Sequence, residues 1–322
     1  MRRVLGWLAL GLGALAGLLV AARTPDIPAE VLRARYAGPT SRFVEVAPGF
    51  TVHLRDEGPR GAPTLVLLHG SNASLHTWEP WVDALRADHR VVTLDLQGHG
   101  LTGPHPQRCY TGTCMAETVE AVRRHLGLDR IVVGGNSMGG LVALRYALHH
   151  PQHVAALILI DAAGAPLPGR TRPLGFRIAT LPGLRNLAEW VTPRSLIARS
   201  LEASVAVKDA ASPDKVDRYW ELLRHPGNRR ATIERFQSPR EPLDPARLRA
   251  LAPVPTLILW GQEDRLFPPA AAEWFRSVLP TAELVVLNGV GHLPQEEAPA
   301  ASAAVVRAFL GRRLAPAPTP PT

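Results

Sequence analysis

Short apolar runs of strand length alternate with helical patterns along most of this 322-residue chain. The runs are TLVLL, RVVTL, RIVV, AALILI, TLILW and ELVVL, at residues 64–68, 90–94, 130–133, 155–160, 256–260 and 283–287. Continuous Val, Ile and Leu runs are typical of strands buried on both faces of a parallel sheet. Helical patterns separate many of them, at 78–87, 115–126, 139–149, 270–279 and 299–310. The alternation predicts an α/β fold with a doubly wound, mostly parallel sheet flanked by helices.

The alternation is interrupted once and preceded by a hairpin pattern. Residues 43–46 and 50–54 flank a Pro-Gly pair and predict two antiparallel strands that open the sheet. From 165 to 250 no strand pattern appears, and helical patterns punctuated by prolines take its place. This stretch is too long for a loop. We therefore predict a helical cap at 165–250, inserted between a first core part at 41–164 and a second at 251–313.

The extreme N-terminus predicts a membrane segment. Residues 4–22 form 19 consecutive uncharged, mostly apolar positions, and two arginines precede them. A helix of that length spans about 28 Å, close to the hydrocarbon thickness of a bilayer. The arginines predict a cytoplasmic N-terminus, which places the rest of the chain outside the cytoplasm, in the periplasm or the extracellular space.

Two alternatives remain open for this segment. Val20, Ala21 and Ala22 resemble a cleavage site, which would make it a signal peptide and the protein secreted; its length favours an uncleaved anchor. Residues 24–40, with three prolines, predict a linker, and the proline-rich residues 314–322 predict an extended tail.

Composition excludes several classes of protein. With 46% hydrophobic residues, the chain has ample material for a core, which excludes a disordered protein. The formal net charge is +8, but the basic residues, all arginine except Lys208 and Lys215, are scattered without dense runs or interleaved aromatics. Nucleic-acid binding is therefore not predicted. Two cysteines alone cannot form a four-ligand zinc site; whether Cys109 and Cys114 pair as a disulfide stays open.

The strongest chemical signal is Gly135-Asn136-Ser137-Met138-Gly139. It follows a predicted strand directly and opens a predicted helix, which is the context of a nucleophile elbow. The serine of such an elbow lies on a sharp, strained turn, and side chains at 135 and 139 would clash with the neighbouring strand and helix. The pattern indicates that Ser137 is a nucleophile.

A nucleophilic serine needs a base, and the base needs an orienting acid. His292 follows the last predicted strand, and Asp264 follows the strand before it. The chain order Ser137, Asp264, His292 is the one expected for this kind of fold, and all three would reach the same sheet edge. Asp161, which ends the strand before the predicted cap, is the alternative acid, and Glu263 is a weaker one.

The negative charge that forms during acyl transfer needs two hydrogen-bond donors. One predicted donor is the backbone N–H of Met138, the residue after the nucleophile. The other is the N–H of Ser71 in the loop His69-Gly70-Ser71-Asn72, which follows the strand at 64–68. We expect His69 to fix this loop, not to act as the base.

These residues resemble the α/β-hydrolase fold superfamily, in its capped branch of esterases, C–C bond hydrolases, haloperoxidase-like enzymes and epoxide hydrolases. The matching strings are His69-Gly70, Asp95 with Gly98-His99-Gly100, Gly135-Asn136-Ser137-Met138-Gly139-Gly140, Trp260-Gly261 with Asp264, and Gly291-His292. The resemblance implies an eight-stranded, mostly parallel sheet and a Ser137–His292–Asp264 triad. It also implies an oxyanion hole made by Ser71 and Met138, without a cofactor or metal.

The departures from family patterns narrow the expected activity. A serine nucleophile disfavours epoxide hydrolases and haloalkane dehalogenases, which carry an aspartate there. C–C hydrolases of ring-cleavage products usually place Trp after the catalytic histidine, whereas this chain has Leu293. We therefore expect hydrolysis of a small or lipid-like carboxylic ester. A C–C hydrolase, and a non-catalytic membrane-tethered binding protein on the same fold, remain the alternatives.

Overall fold

The computed structural model describes residues 17, 20–166, 181, 185–239 and 241–314. In this part of the chain one eight-stranded sheet has the order β1-β2-β4-β3-β5-β6-β7-β8. The strands are β1 (Ser41–Ala47), β2 (Phe50–Glu57), β3 (Thr64–Leu68), β4 (Arg90–Leu94), β5 (Ile131–Asn136), β6 (Val154–Ile160), β7 (Thr256–Gly261) and β8 (Glu283–Leu287). Strand β2 pairs antiparallel with β1 and β4, and all other pairs are parallel. The predicted fold class, a mostly parallel sheet opened by a hairpin, is confirmed.

Helices cover both faces of this sheet. In the described residues they are α1 (Ala29–Tyr36), α2 (Glu79–Leu85), α3 (Gly112–His125), α4 (Met138–His149), α5 (Arg185–Trp190), α6 (Arg194–Glu202), α7 (Pro213–Leu223), α8 (Asn228–Gln237), α9 (Pro245–Arg249), α10 (Ala270–Val278), α11 (Pro294–Glu297) and α12 (Pro299–Arg313). Apolar side chains of α3, α4 and α10 pack on one face and those of α2 and α12 on the other. Strands β3 to β7 are buried at every position except Ala155 of β6, which explains their unbroken apolar runs.

The inserted helices, defined as α5 to α9, lie between β6 and β7 in sequence. The described residues between those two strands contain helices, turns and loops but no strand. Leu201, Val205 and Val216 from this region pack with Leu293, which follows the last strand. These contacts place the inserted helices against the carboxyl edge of the sheet; the exact limits of the predicted cap stay a prediction.

Residues 24–40 differ from the predicted linker. They contain the helix α1, whose Leu32 is fully buried against Leu101 and Leu222. Arg35 and Tyr36 both bond to Glu221 of α7. The segment therefore packs between the sheet and the inserted helices, and contacts with residues far away in sequence hold it there.

The predicted membrane segment at 4–22 lies largely outside the described residues, as does the tail at 315–322. Among the residues that were searched, no helix is both long and apolar enough to span a bilayer. Cys109 and Cys114, whose pairing the sequence left open, form a disulfide with their Cα atoms 6.1 Å apart.

Candidate active site

Ser137 lies at the sharp turn between β5 and α4. Its backbone has φ +57° and ψ −116°, a strained conformation for a residue with a side chain. Its N–H donates to Ile160 O at 2.9 Å and its C=O accepts from Ala163 N at 2.9 Å. The end of β6 thus holds the strained turn in place from both sides.

The glycines on either side of this turn are sterically required. A Cβ on Gly135 would overlap the backbone of Gly139, and a Cβ on Gly139 would overlap the carbonyl oxygen of Leu68 at the end of β3. Helix α4 can therefore begin directly beside two neighbouring strands only because these positions lack side chains. This confirms the packing argument made for the Gly-x-Ser-x-Gly pattern.

His292 and Asp264 form a buried hydrogen-bonded pair. The Nδ1 atom of His292 is 2.8 Å from Oδ2 of Asp264, and both side chains are almost fully buried. The other oxygen of Asp264 accepts from the backbone N–H groups of Leu266 and Phe267 at 2.7 and 3.0 Å. These bonds fix the carboxylate of Asp264. The carboxylate in turn orients the imidazole of His292, because the Nδ1 of the ring faces Asp264 and not solvent.

The loop that carries His292 is tied to the serine turn by Asn136. The Nδ2 atom of this residue, which directly precedes Ser137, donates to His292 O at 2.9 Å. The N–H of His292 donates to Ser204 O of the inserted region at 2.9 Å. Among the described residues no hydrogen bond within 3.5 Å joins Ser137 Oγ to His292, and the bond from Asn136 is what connects the loop of His292 to the serine turn. Hydrogen bonds between catalytic groups are often loose before substrate binds.

Asp161, the alternative acid, lies beside the same pair. It is fully buried at the end of β6, its Oδ1 accepts from Gly261 N at 3.0 Å, and its Oδ2 has no partner among the described residues. Burial, and then the negative charge of Asp264, raise the pKa of Asp161 well above its usual range. Asp264 is thus the acid that bonds the imidazole, while Asp161 lies beside the pair with a raised pKa.

These three side chains also form the one group, within the described ranges, with metal-ligand spacing. One potential ligand atom from each of Asp161, Asp264 and His292 lies within 4.8 Å of the others. The imidazole nitrogen nearest the acids is already bonded to Asp264 at 2.8 Å. Hydrogen bonding between acid and base accounts for this cluster.

The predicted oxyanion donors lie next to the serine. An added Cβ on Gly70 would be 3.3 Å from Ser137 Cβ, so the loop after β3 passes beside the nucleophile. The backbone N–H groups of Ser71 and Met138 donate to no acceptor in the described part of the chain. Both amides are thus free to bind an oxygen of a substrate.

His69 fixes this loop, as expected. Its Nδ1 donates to Gly70 O at 2.8 Å, and its Nε2 accepts from Leu96 N at 3.1 Å. Burial lowers the pKa of His69, so the imidazole is neutral. The ring therefore joins the loop after β3 to the loop after β4 and has no nitrogen left for catalysis.

Asp95 fastens the neighbouring loops. Its carboxylate accepts from Leu75 N at 2.7 Å, from Leu101 N at 2.8 Å and from His53 Nδ1 at 2.7 Å. The adjacent His53, through its charge and its hydrogen bond, holds the pKa of Asp95 well below its usual range against the effect of burial. This confirms the structural role expected for Asp95.

Glu297 is a residue of this site that the sequence analysis missed. Its Oε2 accepts from the backbone N–H groups of Gly291, Ala206 and Val207 at 2.7–3.0 Å, and its Oε1 accepts from Leu293 N at 2.9 Å. The carboxylate thus bonds the amides on both sides of His292 and joins them to the inserted region. No local motif marks this role, since it depends on loops that meet only in the fold.

Comparisons with known proteins agree with this architecture. A family profile described as alpha/beta hydrolase fold matches residues 63–299. A 2-hydroxy-6-oxononadienedioate/2-hydroxy-6-oxononatrienedioate hydrolase of Cupriavidus pinatubonensis is 30% identical and covers 84% of this chain and 96% of its own. Lipase 3 of a Moraxella species is 26% identical, with 80% of each chain covered. The crystal structure of a membrane phospholipase A, a bacterial virulence factor, has 28% identity and a TM-score of 0.70 and covers 98% of this chain and all of its own.

Proposed function

We propose, from the premise that this chain belongs to the alpha/beta hydrolase fold family, that it is a serine hydrolase of carboxylic esters. One observation carries the proposal. Ser137 lies at a strained turn next to two free backbone amides, and the residue before it, Asn136, bonds the backbone of His292, whose Nδ1 is 2.8 Å from a buried carboxylate. This combination supplies a nucleophile, a base, an orienting acid and an oxyanion site.

The reaction follows from these positions. The imidazole of His292 takes the hydroxyl proton of Ser137 through Nε2 as Oγ attacks the ester carbonyl. The N–H groups of Ser71 and Met138 stabilise the oxyanion, and Asp264 stabilises the imidazolium. The imidazolium then protonates the leaving alcohol. A water molecule, activated by the same imidazole, cleaves the acyl-enzyme and regenerates the hydroxyl of Ser137.

A small or lipid-like ester is the proposed substrate. Relatives named as a lipase and as a membrane phospholipase A support an ester, and the second match extends over almost the whole chain. A C–C bond hydrolase is the second candidate, because a relative 30% identical acts on an oxo-dienedioate. Leu293 after the base weighs against it, since such hydrolases usually have Trp at that position.

We further propose that residues 4–22 anchor the protein in a membrane, with the hydrolase outside the cytoplasm. The described chain leaves that segment beside α5, where Thr24 N donates to Trp190 O at 2.8 Å. Trp190 is 57% exposed and is covered on one side by Arg23, a composition typical of a membrane–water interface. The disulfide also favours an oxidising compartment. Recovery of the full-length protein in a carbonate-washed membrane fraction would support the anchor, and recovery in the soluble fraction at full length would contradict it.

A substrate screen tests the activity. The wild type should hydrolyse 4-nitrophenyl esters from acetate to palmitate, and Ser137→Ala should not. A ring-cleavage dienoate in the same screen distinguishes the second candidate, because turnover of the dienoate without ester hydrolysis would favour a C–C hydrolase. Absence of turnover on every substrate would favour a binding protein.

A further inference from the structure

A partly buried arginine, with its Nε and Nη2 atoms out of contact with solvent, lies against the loop that carries the predicted oxyanion donor. Arg235 belongs to α8, and its Nη1 donates to Ser71 Oγ at 2.8 Å. Its guanidinium carbon is 4.5 Å from the ring centroid of Phe236. The side chain of Ser71 therefore holds the guanidinium, while its backbone N–H is free for the substrate oxygen.

The other two nitrogens of this guanidinium, Nε and Nη2, are buried and lack a hydrogen-bond partner in the part of the chain that the structure describes. Among the described residues, no carboxylate pairs with Arg235 either. Its neighbours differ, since both Arg108 and Arg230 pair with Glu234. The segments that the structure does not describe contain no Asp or Glu. The side chains of this protein thus offer Arg235 no negative partner.

The surroundings do not neutralise this charge either. Burial lowers the pKa of Arg235 to about 10, which leaves it a cation at neutral pH. Burial also lowers the pKa of His69 and His99, and the charge of Arg235 adds to both effects, so these imidazoles are neutral. Asp95 acts on the same imidazoles, but its oxygens already accept the loop amides described above. A buried cation without a partner destabilises a fold unless a ligand supplies the opposite charge.

We propose that Arg235 is the anion subsite of this hydrolase and binds a carboxylate or phosphate group of the substrate. The proposal rests on the proposed ester hydrolysis and specifies its substrate class: esters that carry a negative charge close to the cleaved bond. Ser71 places the two sites close together, because its hydroxyl holds the guanidinium and its backbone N–H is one of the predicted oxyanion donors.

Two matched pairs of substrates test the subsite and distinguish the sources of the anion. Mono-4-nitrophenyl glutarate and 4-nitrophenyl pentanoate differ only in a terminal carboxylate on the acyl side. A 1-acylglycerol 3-phosphate and the same 1-acylglycerol differ only in a phosphate on the alcohol side. The ratio of kcat/KM within each pair is measured for the full-length wild type, for Arg235→Gln and for Arg230→Gln. Arg230 is a matched control, since it is an exposed arginine of the same helix paired with Glu234.

The wild type should favour the anionic member of one pair at least tenfold, and that pair identifies the carboxylate or the phosphate as the ligand. Arg235→Gln should lose this preference at least tenfold, whereas Arg230→Gln should keep it within about twofold. The proposal is overturned if the wild type shows no preference in either pair while it still hydrolyses the neutral esters. It is also overturned if Arg235→Gln slows neutral and anionic members equally, since the arginine would then act on the reaction centre alone. If Arg235→Gln does not fold, Arg235→Lys is measured in its place: we expect the preference to fall severalfold, because an ammonium lacks the planar fork of the guanidinium, and an unchanged preference would overturn the proposal.

Hydrolysis of neither neutral nor anionic members would instead contradict the proposed function.

Discussion

Replacement of Glu297 by Gln should weaken both the fold and the catalytic base. The carboxylate accepts four backbone N–H groups, two of which flank His292. A hydrogen bond to a charged group contributes about 1.5–3 kcal/mol and a neutral one about 0.5–1.5 kcal/mol. In the variant three of these hydrogen bonds have a neutral acceptor in place of a charged one, which lowers the free energy of unfolding by about 3 kcal/mol in total. The fourth is lost, because the new NH2 group faces the N–H of Leu293.

Thermal unfolding and ester kinetics measure the two consequences. The three weakened bonds and the lost one together cost about 5 kcal/mol, so at roughly 2–4 °C per kcal/mol the melting temperature should fall by about 10–20 °C. The value of kcat should fall more than KM rises, because the loop that carries His292 loses its support while the oxyanion loop keeps its own. Glu263→Gln is the control, since Glu263 is exposed in the loop that carries Asp264. A Glu297→Gln variant with the stability and kcat of the wild type would refute this reasoning.

Three further predictions follow from single contacts. The pKa of the Asp161 carboxyl is higher in the folded protein than in the unfolded chain. The protonated carboxyl therefore stabilises the fold fully below the unfolded pKa of about 4, and this stabilisation is lost as pH rises through the folded pKa. Asp161→Asn, which stays neutral, should gain stability relative to wild type between pH 4.5 and 8.5; a difference in melting temperature that does not change with pH would contradict this. Substitution of both Cys109 and Cys114 by Ser should lower the free energy of unfolding by about 2 kcal/mol, measured in denaturant; an unchanged value would show that the bridge contributes nothing. Gly139→Ala should abolish activity or soluble expression, because its Cβ would overlap Leu68 O; an active, soluble variant would refute the packing argument.

Much of the sheet could be predicted from the sequence, because buried parallel strands have unbroken apolar runs. The predicted runs at 64–68, 90–94 and 283–287 coincide with β3, β4 and β8. Strand β5 was predicted too short, since its last three residues are Gly134, Gly135 and Asn136. Glycine and asparagine have low strand propensity, and pairing with β3 and β6 overrides that preference here.

The contacts that the sequence did not predict join residues far apart in the chain. Residues 24–40 have the prolines of a linker, but contacts with Glu221 and Leu222 order α1. Asn136 occupies a variable position of its motif, and its bond to His292 O joins residues 156 positions apart. Glu297 looked like an ordinary charged residue before a helix. Polar side chains of this kind acquire their roles from loops that meet only after folding, so a local pattern cannot reveal them.

Covalent labelling with a fluorophosphonate tests whether Ser137 is a nucleophile activated by a base and an oxyanion site. The reagent reacts with a serine only where a base removes the hydroxyl proton and an oxyanion site binds the phosphoryl oxygen. We expect one label per chain, which peptide mass spectrometry places on Ser137 and which is lost in Ser137→Ala and strongly slowed in His292→Ala. Wild-type protein that never reacts, or a label that persists in Ser137→Ala, would contradict this expectation.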